Sequence, residues 1–172
     1  ADLPDGKLKI IASDVSNGQM LVLPDDLVRY NMTPADLKIS TAVMMSTSLP
    51  FFFRPVKWKL KDGKKSYILD GGLLSNFPIW LFDTQHSRFP TFGFRFVKEE
   101  VNIDPVIPTP IHLAKNIFKT MLQAHDIRHM SEETNERTIK ITTGSVNTTD
   151  FELNEEELEI LYQSGYKSAK EF

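Results

Sequence analysis

The stretch Tyr67-Ile68-Leu69-Asp70-Gly71-Gly72-Leu73-Leu74-Ser75-Asn76-Phe77-Pro78 constrains this chain more than any other. An apolar lead-in meets a carboxylate, and two glycines follow at once. A run of this kind, entered from Asp62-Gly63-Lys64-Lys65, reads as a buried strand after a turn. Asp70 then stands where the strand stops. Consecutive glycines open backbone angles closed to other residues, and they leave no side chain to shield the carboxylate. Ligands of open α/β sheets bind beyond the carboxyl ends of the strands, so Asp70 is a candidate for chemistry. The same residues also read as a plain turn, with Asp70 bonded to nearby backbone amides.

Composition narrows the partners. At 172 residues the chain fits one domain with a real core. A net charge of −3 gives no basic footprint, which argues against nucleic acid. With no cysteine, disulfides and thiolate metal sites are excluded, and a reducing, cytoplasmic setting fits. No apolar run has the length of a membrane-spanning helix. A peripheral contact with membrane stays open.

Taken in order, Lys7 to Asp14 reads as a strand, Ser16-Asn17-Gly18 as a hairpin turn and Gln19 to Leu23 as the returning strand. Asp14, at the end of the first strand, carries a small functional weight. Thr33-Pro34-Ala35-Asp36 reads as the start of a helix that continues through Leu37, Thr41 and Met45 and stops at Leu49-Pro50. The small residues Ser46, Thr47 and Ser48 suit close packing. Phe51-Phe52-Phe53 has three readings: core, the wall of an apolar pocket, or an exposed wedge touching lipid. Core is the ordinary place for aromatics, and no basic amphipathic face is evident to support lipid contact. Val56 to Leu60 alternates as a half-buried strand, and Pro90 to Val97 reads as another. Residues 111–134 form the longest helical candidate, and Arg137 to Thr142 a further strand. Asn154 and Glu157 make a capping box for a closing helix with the stripe Leu158, Leu161, Tyr162, Gly165, Tyr166 and Ala169.

Other constellations are weak. His125 and His129 share a helix face but lack the neighbouring Glu and third ligand of a metal site, so neither metal nor cofactor is expected. His86 and His112 lie in or beside polar, proline-flanked segments. No serine sits in a Gly-x-Ser-x-Gly elbow; Ser16, Ser75 and Ser164 each lack the flanking glycines.

The run Ser46 to Val56, then Tyr67 to Gly72, then Asn76-Phe77-Pro78 closely resembles the second half of patatin-like phospholipases. Ile11-Ala12-Ser13-Asp14 and the closing helix are similar to further elements of that family. The resemblance implies an α/β fold, a three-layer α/β/α sandwich. It also implies lipid acyl-ester hydrolysis by a Ser–Asp dyad without a catalytic His. Asp70 matches the dyad's proton acceptor, and Gly71 and Gly72 match the motif glycines. The family's glycine-rich oxyanion loop and its serine elbow do not occur in these 172 residues. The resemblance therefore implies that residues 1–172 are the C-terminal portion of a single patatin-like domain, lacking its N-terminal strands. Such a piece would supply the Asp but not the nucleophile. It would be inactive alone, self-associate or need the missing segment, and act on a lipid or acyl ester only when completed. The competing reading is a non-catalytic α+β interaction domain in which Asp70-Gly71-Gly72 is a structural turn.

Overall fold

The computed structural model describes residues 8–60, 63–82, 90–97, 109–117, 120, 132–147 and 149–172. Strands and helices are mixed along the chain, as expected for the α/β class. The chain divides into two compact units, Ala1–Leu81 with Ile107–His129, and Phe82–Val106 with Met130–Phe172.

The first unit is built on a hairpin. Strand β1 (Ile10–Asp14) pairs antiparallel with β2 (Gln19–Leu23), from Ile10 opposite Leu23 to Asp14 opposite Gln19. Gly18, at φ +64°, takes the left-handed conformation that lets the connection close. The Asp14 side chain finishes the turn. Its Oδ1 accepts the backbone N–H groups of Ser16 (2.9 Å) and Asn17 (3.1 Å). Its Oδ2 accepts from Asn17 Nδ2 (2.7 Å) and from the Tyr30 hydroxyl. Asn17 Nδ2 also donates to Ser66 Oγ at 3.2 Å, which ties the turn to the neighbouring strand. Burial works to raise the carboxyl pKa, but the bonds from Tyr30, Asn17 and Ser66 outweigh it and hold Asp14 below 3.8. Burial and the Asp14 contact push the Tyr30 hydroxyl up to about 12. Asp14 is thus a structural carboxylate, and the small functional weight it carried in the sequence is withdrawn.

The sheet runs β2-β1-β4-β3, with β3 (Val56–Lys59) and β4 (Lys65–Asp70) forming a second hairpin. β4 lies antiparallel to β1, with Ala12 opposite Asp70 and Asp14 opposite Ile68. It is also antiparallel to β3, with Val56 opposite Ile68 and Lys59 opposite Lys65. Register partners share a face. One face therefore carries Ala12, Leu21, Leu23, Trp58 and Ile68, all in the core. Leu27 and Tyr30, from the 3-10 segment Asp25–Tyr30, pack there with Ala42 and Met45 of helix α1 (Ile39–Ser46). Tyr30 and Trp58 meet at 4.9 Å between ring centres.

Three expectations change here. Thr33 opens only a 3-10 turn, Pro34–Asp36, in which the Asp36 carboxylate accepts the Thr33 N–H. Leu37 is extended, and α1 starts afresh after Lys38. The small hydroxyl residues at its end cap it: Thr47 Oγ1 donates to the Val43 carbonyl and Ser48 Oγ to the Met44 carbonyl. Phe51, Phe52 and Phe53 are not core; each is about half exposed, at 53%, 47% and 48%. A tight turn on the Leu49 carbonyl, with Phe51 at φ +72°, holds them outside the apolar layer.

In the second unit, β5 (Gly93–Val97) and β6 (Thr138–Thr142) pair in parallel. Helix α2 (Glu132–Glu136) leads into β6, and helix α3 (Glu155–Glu171) closes the chain. Its capping box is present: Asn154 Oδ1 accepts the Glu157 N–H and Glu157 accepts the Asn154 N–H, both at 2.9 Å. The α3 stripe only partly holds. Leu161 and Gly165 are half-buried, whereas Leu158, Tyr162 and Tyr166 are exposed. The helix meets β6 through Ser164 instead, whose Oγ donates to the Thr142 carbonyl at 2.7 Å. Residues 110–117 are helical, and most of the remainder of the long helical candidate lies outside the described residues.

The Asp14 network sets a test of the fold. Asp14→Asn places an amide nitrogen against donors that need an acceptor, and is expected to lower stability by about 3 kcal/mol. The Asp14 pKa is depressed on folding, so its contribution is full above the unfolded value and lost as pH falls through the folded one. Thermal melts from neutral to acid pH should show wild type losing stability below about pH 4, with a shallower loss in the variant.

Candidate active site at the end of strand β4

Strand β4 ends where Asp70 begins a 3-10 turn, Gly71–Leu73. β3 pairs with β4 only as far as Ile68, so the far side of Asp70 is left to another partner. The Asp70 N–H donates to the Ser48 carbonyl at 3.0 Å, two residues beyond α1. The end of the helix and the end of the strand are therefore tied together at this residue. Nothing in the sequence pattern marked Ser48 for that role, since its carbonyl does the work and its hydroxyl is spent on the helix.

The carboxylate is half-buried on the core face, in register with Ala12. Oδ1 accepts the Gly72 N–H at 2.7 Å. Among the described residues, no donor reaches Oδ2. Burial raises the Asp70 pKa above 3.8, and the single Gly72 bond works against that rise without cancelling it. The contrast with Asp14 is direct. Asp14 has donors on both oxygens and is held ionised, while Asp70 has one and is pushed toward protonation.

The glycines matter for a different reason than backbone freedom. Neither Gly71 nor Gly72 has a positive φ. A Cβ on Gly71 would lie 2.2 Å from the Ile11 carbonyl oxygen and 2.6 Å from its carbon. Only glycine lets the turn drop onto the backbone of β1. A Cβ on Gly72 would lie 2.8 Å from Asp70 Oδ1 and 3.1 Å from Asn76 Oδ1. Gly72 thus keeps the space that the carboxylate occupies, and Asn76 borders the same space.

The other candidates separate from this site. Ser16 Oγ accepts the Tyr67 N–H at 2.9 Å, the Ser75 N–H donates to the Gly71 carbonyl, and Ser164 bonds Thr142. Among the described residues, no serine hydroxyl is bonded to the Asp70 carboxylate. His112 is exposed, with Nδ1 2.7 Å from Thr109 Oγ1. His86, His125 and His129 lie outside the described residues. The described residues hold no group of three or more His, Cys, Asp or Glu that could bind a metal ion.

Residues 8–83, from the first strand through the Asp70 turn, match the family model for patatin-like phospholipase. That segment is similar to patatin-like phospholipases. The patatin-like segment therefore holds Asp70, both glycines and Asn76, together with the whole four-stranded sheet. The chain is also 39% identical over 172 residues to an uncharacterized Bacillus subtilis protein, YqhO. The match covers 99% of this chain but 58% of that protein, so the chain spans little more than half the length of the curated relative it matches. No helix among the described residues is long and apolar enough to cross a membrane.

The two glycines of the patatin-like segment should respond differently to the same change. Gly71→Ala meets backbone that cannot move, and is expected to lower stability by about 3 kcal/mol or prevent folding. Gly72→Ala meets the movable ends of two side chains, and is expected to fold with a loss below about 1 kcal/mol. Denaturant melts of the two variants check this.

Proposed function

We propose that this chain carries the proton-accepting half of a Ser–Asp dyad in a lipid acyl hydrolase. The similarity of residues 8–83 to patatin-like phospholipases supports the class of reaction, and the state of Asp70 supports its role. The observation that carries the reading is a half-buried carboxylate with one oxygen anchored by Gly72 and the other reached by no donor among the described residues. Such a group can take a serine proton: partial desolvation brings its basicity toward a useful range, and the free oxygen offers the place for the hydroxyl. The serine then attacks the ester carbonyl as Asp70 takes its proton. The bond to the alcohol oxygen breaks, and the proton passes to the departing alcohol. In a second step water, again giving a proton to Asp70, releases the acyl group as the free acid while the serine recovers its proton. Backbone donors for the tetrahedral oxyanion belong to the same proposal. Residues 1–172 contain no Gly-x-Ser-x-Gly elbow, so the nucleophile comes from outside this chain, and the chain alone is inactive.

The completing segment has apolar surface available to it. In the second unit, Phe94 and Phe96 of β5 are 63% and 73% exposed, and Leu158, Tyr162 and Tyr166 line one side of α3 at four-residue steps. A strand or helix of the completing segment, or a second copy, would bury such surface. The non-catalytic reading draws on the Gly72 bond, since an Asp turned onto its own backbone is what a structural turn needs. It leaves the second oxygen without a purpose.

Hydrolysis of a short p-nitrophenyl acyl ester tests the proposal. The chain alone should show no turnover above its Asp70→Asn variant. With the serine-bearing segment supplied, covalently or in trans, turnover should appear and fall roughly 100-fold or more in Asp70→Asn. Asp70-dependent turnover by the chain alone, or full activity of the completed Asp70→Asn protein, contradicts the proposal.

A further inference from the structure

The β3–β4 hairpin concentrates positive charge in a chain that is acidic overall. Residues 54–65 include six Lys or Arg and one Asp, against a total of −3 for the whole sequence. Register decides where the charges go. Trp58 and Ser66 face the core, so Lys57, Tyr67, Lys59 and Lys65 stand together on the opposite face, all exposed. Lys59 and Lys65 are directly opposite each other, an arrangement that weakens a sheet through like-charge repulsion. Among the described residues, no carboxylate forms an ion pair with Arg54, Lys57, Lys59 or Lys65. Like charges set side by side on an exposed face, with no described carboxylate paired to them, give a surface complementary to an anionic partner.

The aromatic turn leads directly into β3, three residues before Val56 opens the strand. Phe51, Phe52 and Phe53 are 53%, 47% and 48% exposed, and Arg54 follows them. Phe51 holds φ at +72°, a costly conformation for a bulky residue, so the outward presentation is sustained against local strain. The turn is fixed by the Leu49 carbonyl, which accepts the N–H groups of Phe52 (3.3 Å) and Phe53 (2.9 Å). Lys115 Nζ lies 5.7 Å from the centre of the Phe52 ring, which adds a further cation at the aromatic edge. The neighbouring carbonyl, that of Ser48, is the one holding Asp70.

We propose that Phe51–Phe53 and the Lys57, Lys59 and Lys65 face form a docking surface for an anionic lipid bilayer. The phenyl rings enter the acyl boundary while the lysines meet the phosphate headgroups. Each half of the surface needs the other to explain it. Repulsion between basic faces disfavours a symmetric dimer through this surface, and base-edge or phosphate binding gives no role to three phenylalanines outside the strands. Docking this way would bring the membrane to the loop that positions Asp70. The inference extends the lipid-hydrolase reading but is measured without turnover, so either can fail alone.

Co-sedimentation with vesicles tests it, using phosphatidylcholine alone and phosphatidylcholine mixed with phosphatidylglycerol. The protein should bind the anionic vesicles, more weakly at high salt, and bind the neutral ones poorly. Lys59→Glu should weaken binding roughly tenfold or more. The same change removes the Lys59–Lys65 repulsion, so its melting temperature should be unchanged or higher, which separates lost binding from lost folding. Phe51→Ser with Phe52→Ser should weaken binding roughly tenfold or more while leaving the far-UV circular dichroism unchanged. No binding to anionic vesicles, or binding indifferent to Lys59→Glu and to the Phe changes, overturns the proposal. Equally tight retention on duplex DNA that ignores the Phe changes assigns the lysines to nucleic acid and overturns it as well. So does a dimer that the Phe changes disperse, when the wild type binds no vesicle.

Discussion

The contact between Gly71 and the Ile11 carbonyl is the constraint on which the site depends. At 2.2 Å from that oxygen, a methyl group has no place, and β1 cannot retreat because it is paired on both sides. The chain can therefore turn down onto β1 immediately after Asp70 only with glycine there. Every later feature follows from that turn. Gly72 arrives where its N–H meets Oδ1, Asn76 borders the same space, and the Asp70 N–H points to Ser48.

Two aspartates at the two ends of this sheet region show what hydrogen-bond supply does to a carboxyl group. Asp14 is fully buried yet depressed, because four donors reach it. Asp70 is less buried yet elevated, because one does. Their stability contributions have opposite signs. The depressed group stabilises the fold above its unfolded pKa, whereas the elevated group favours the fold below its unfolded pKa and loses that contribution as pH rises through the folded value. At neutral pH, Asp14 supports the fold and Asp70 burdens it.

Much of this was legible in the residues. Asn17-Gly18 located the first hairpin, and apolar patterning located the two strands of the second without showing that they pair. The Asn154–Glu157 box marked the last helix for a similarly local reason. What the sequence concealed was set by register and close approach. Asp14 and Asp70 both end apolar strands, and only the donors that the following turn and Tyr30 bring to each carboxylate separate them. Gly71 and Gly72 invited an argument from backbone angles, but their role is steric and depends on Ile11 and on Asp70 itself. Phe51–Phe53 had the composition of core, and the turn at Leu49 carries them outside it. The basic face was hidden in the same way. Lysines 57, 59 and 65 look like ordinary solvated alternation until the pairing of β3 with β4 sets them on one face, with no carboxylate of the described residues paired to them.

The central claim is that Asp70 is a carboxylate poised to take a proton. Carbon-13 NMR titration of the aspartate side-chain carboxyls measures that property without substrate and without the nucleophile, using Asp70→Asn to assign the resonance. The account requires Asp70 to titrate above 3.8 and Asp14 below it. An Asp70 that titrates at or below the ordinary carboxylate value would contradict it.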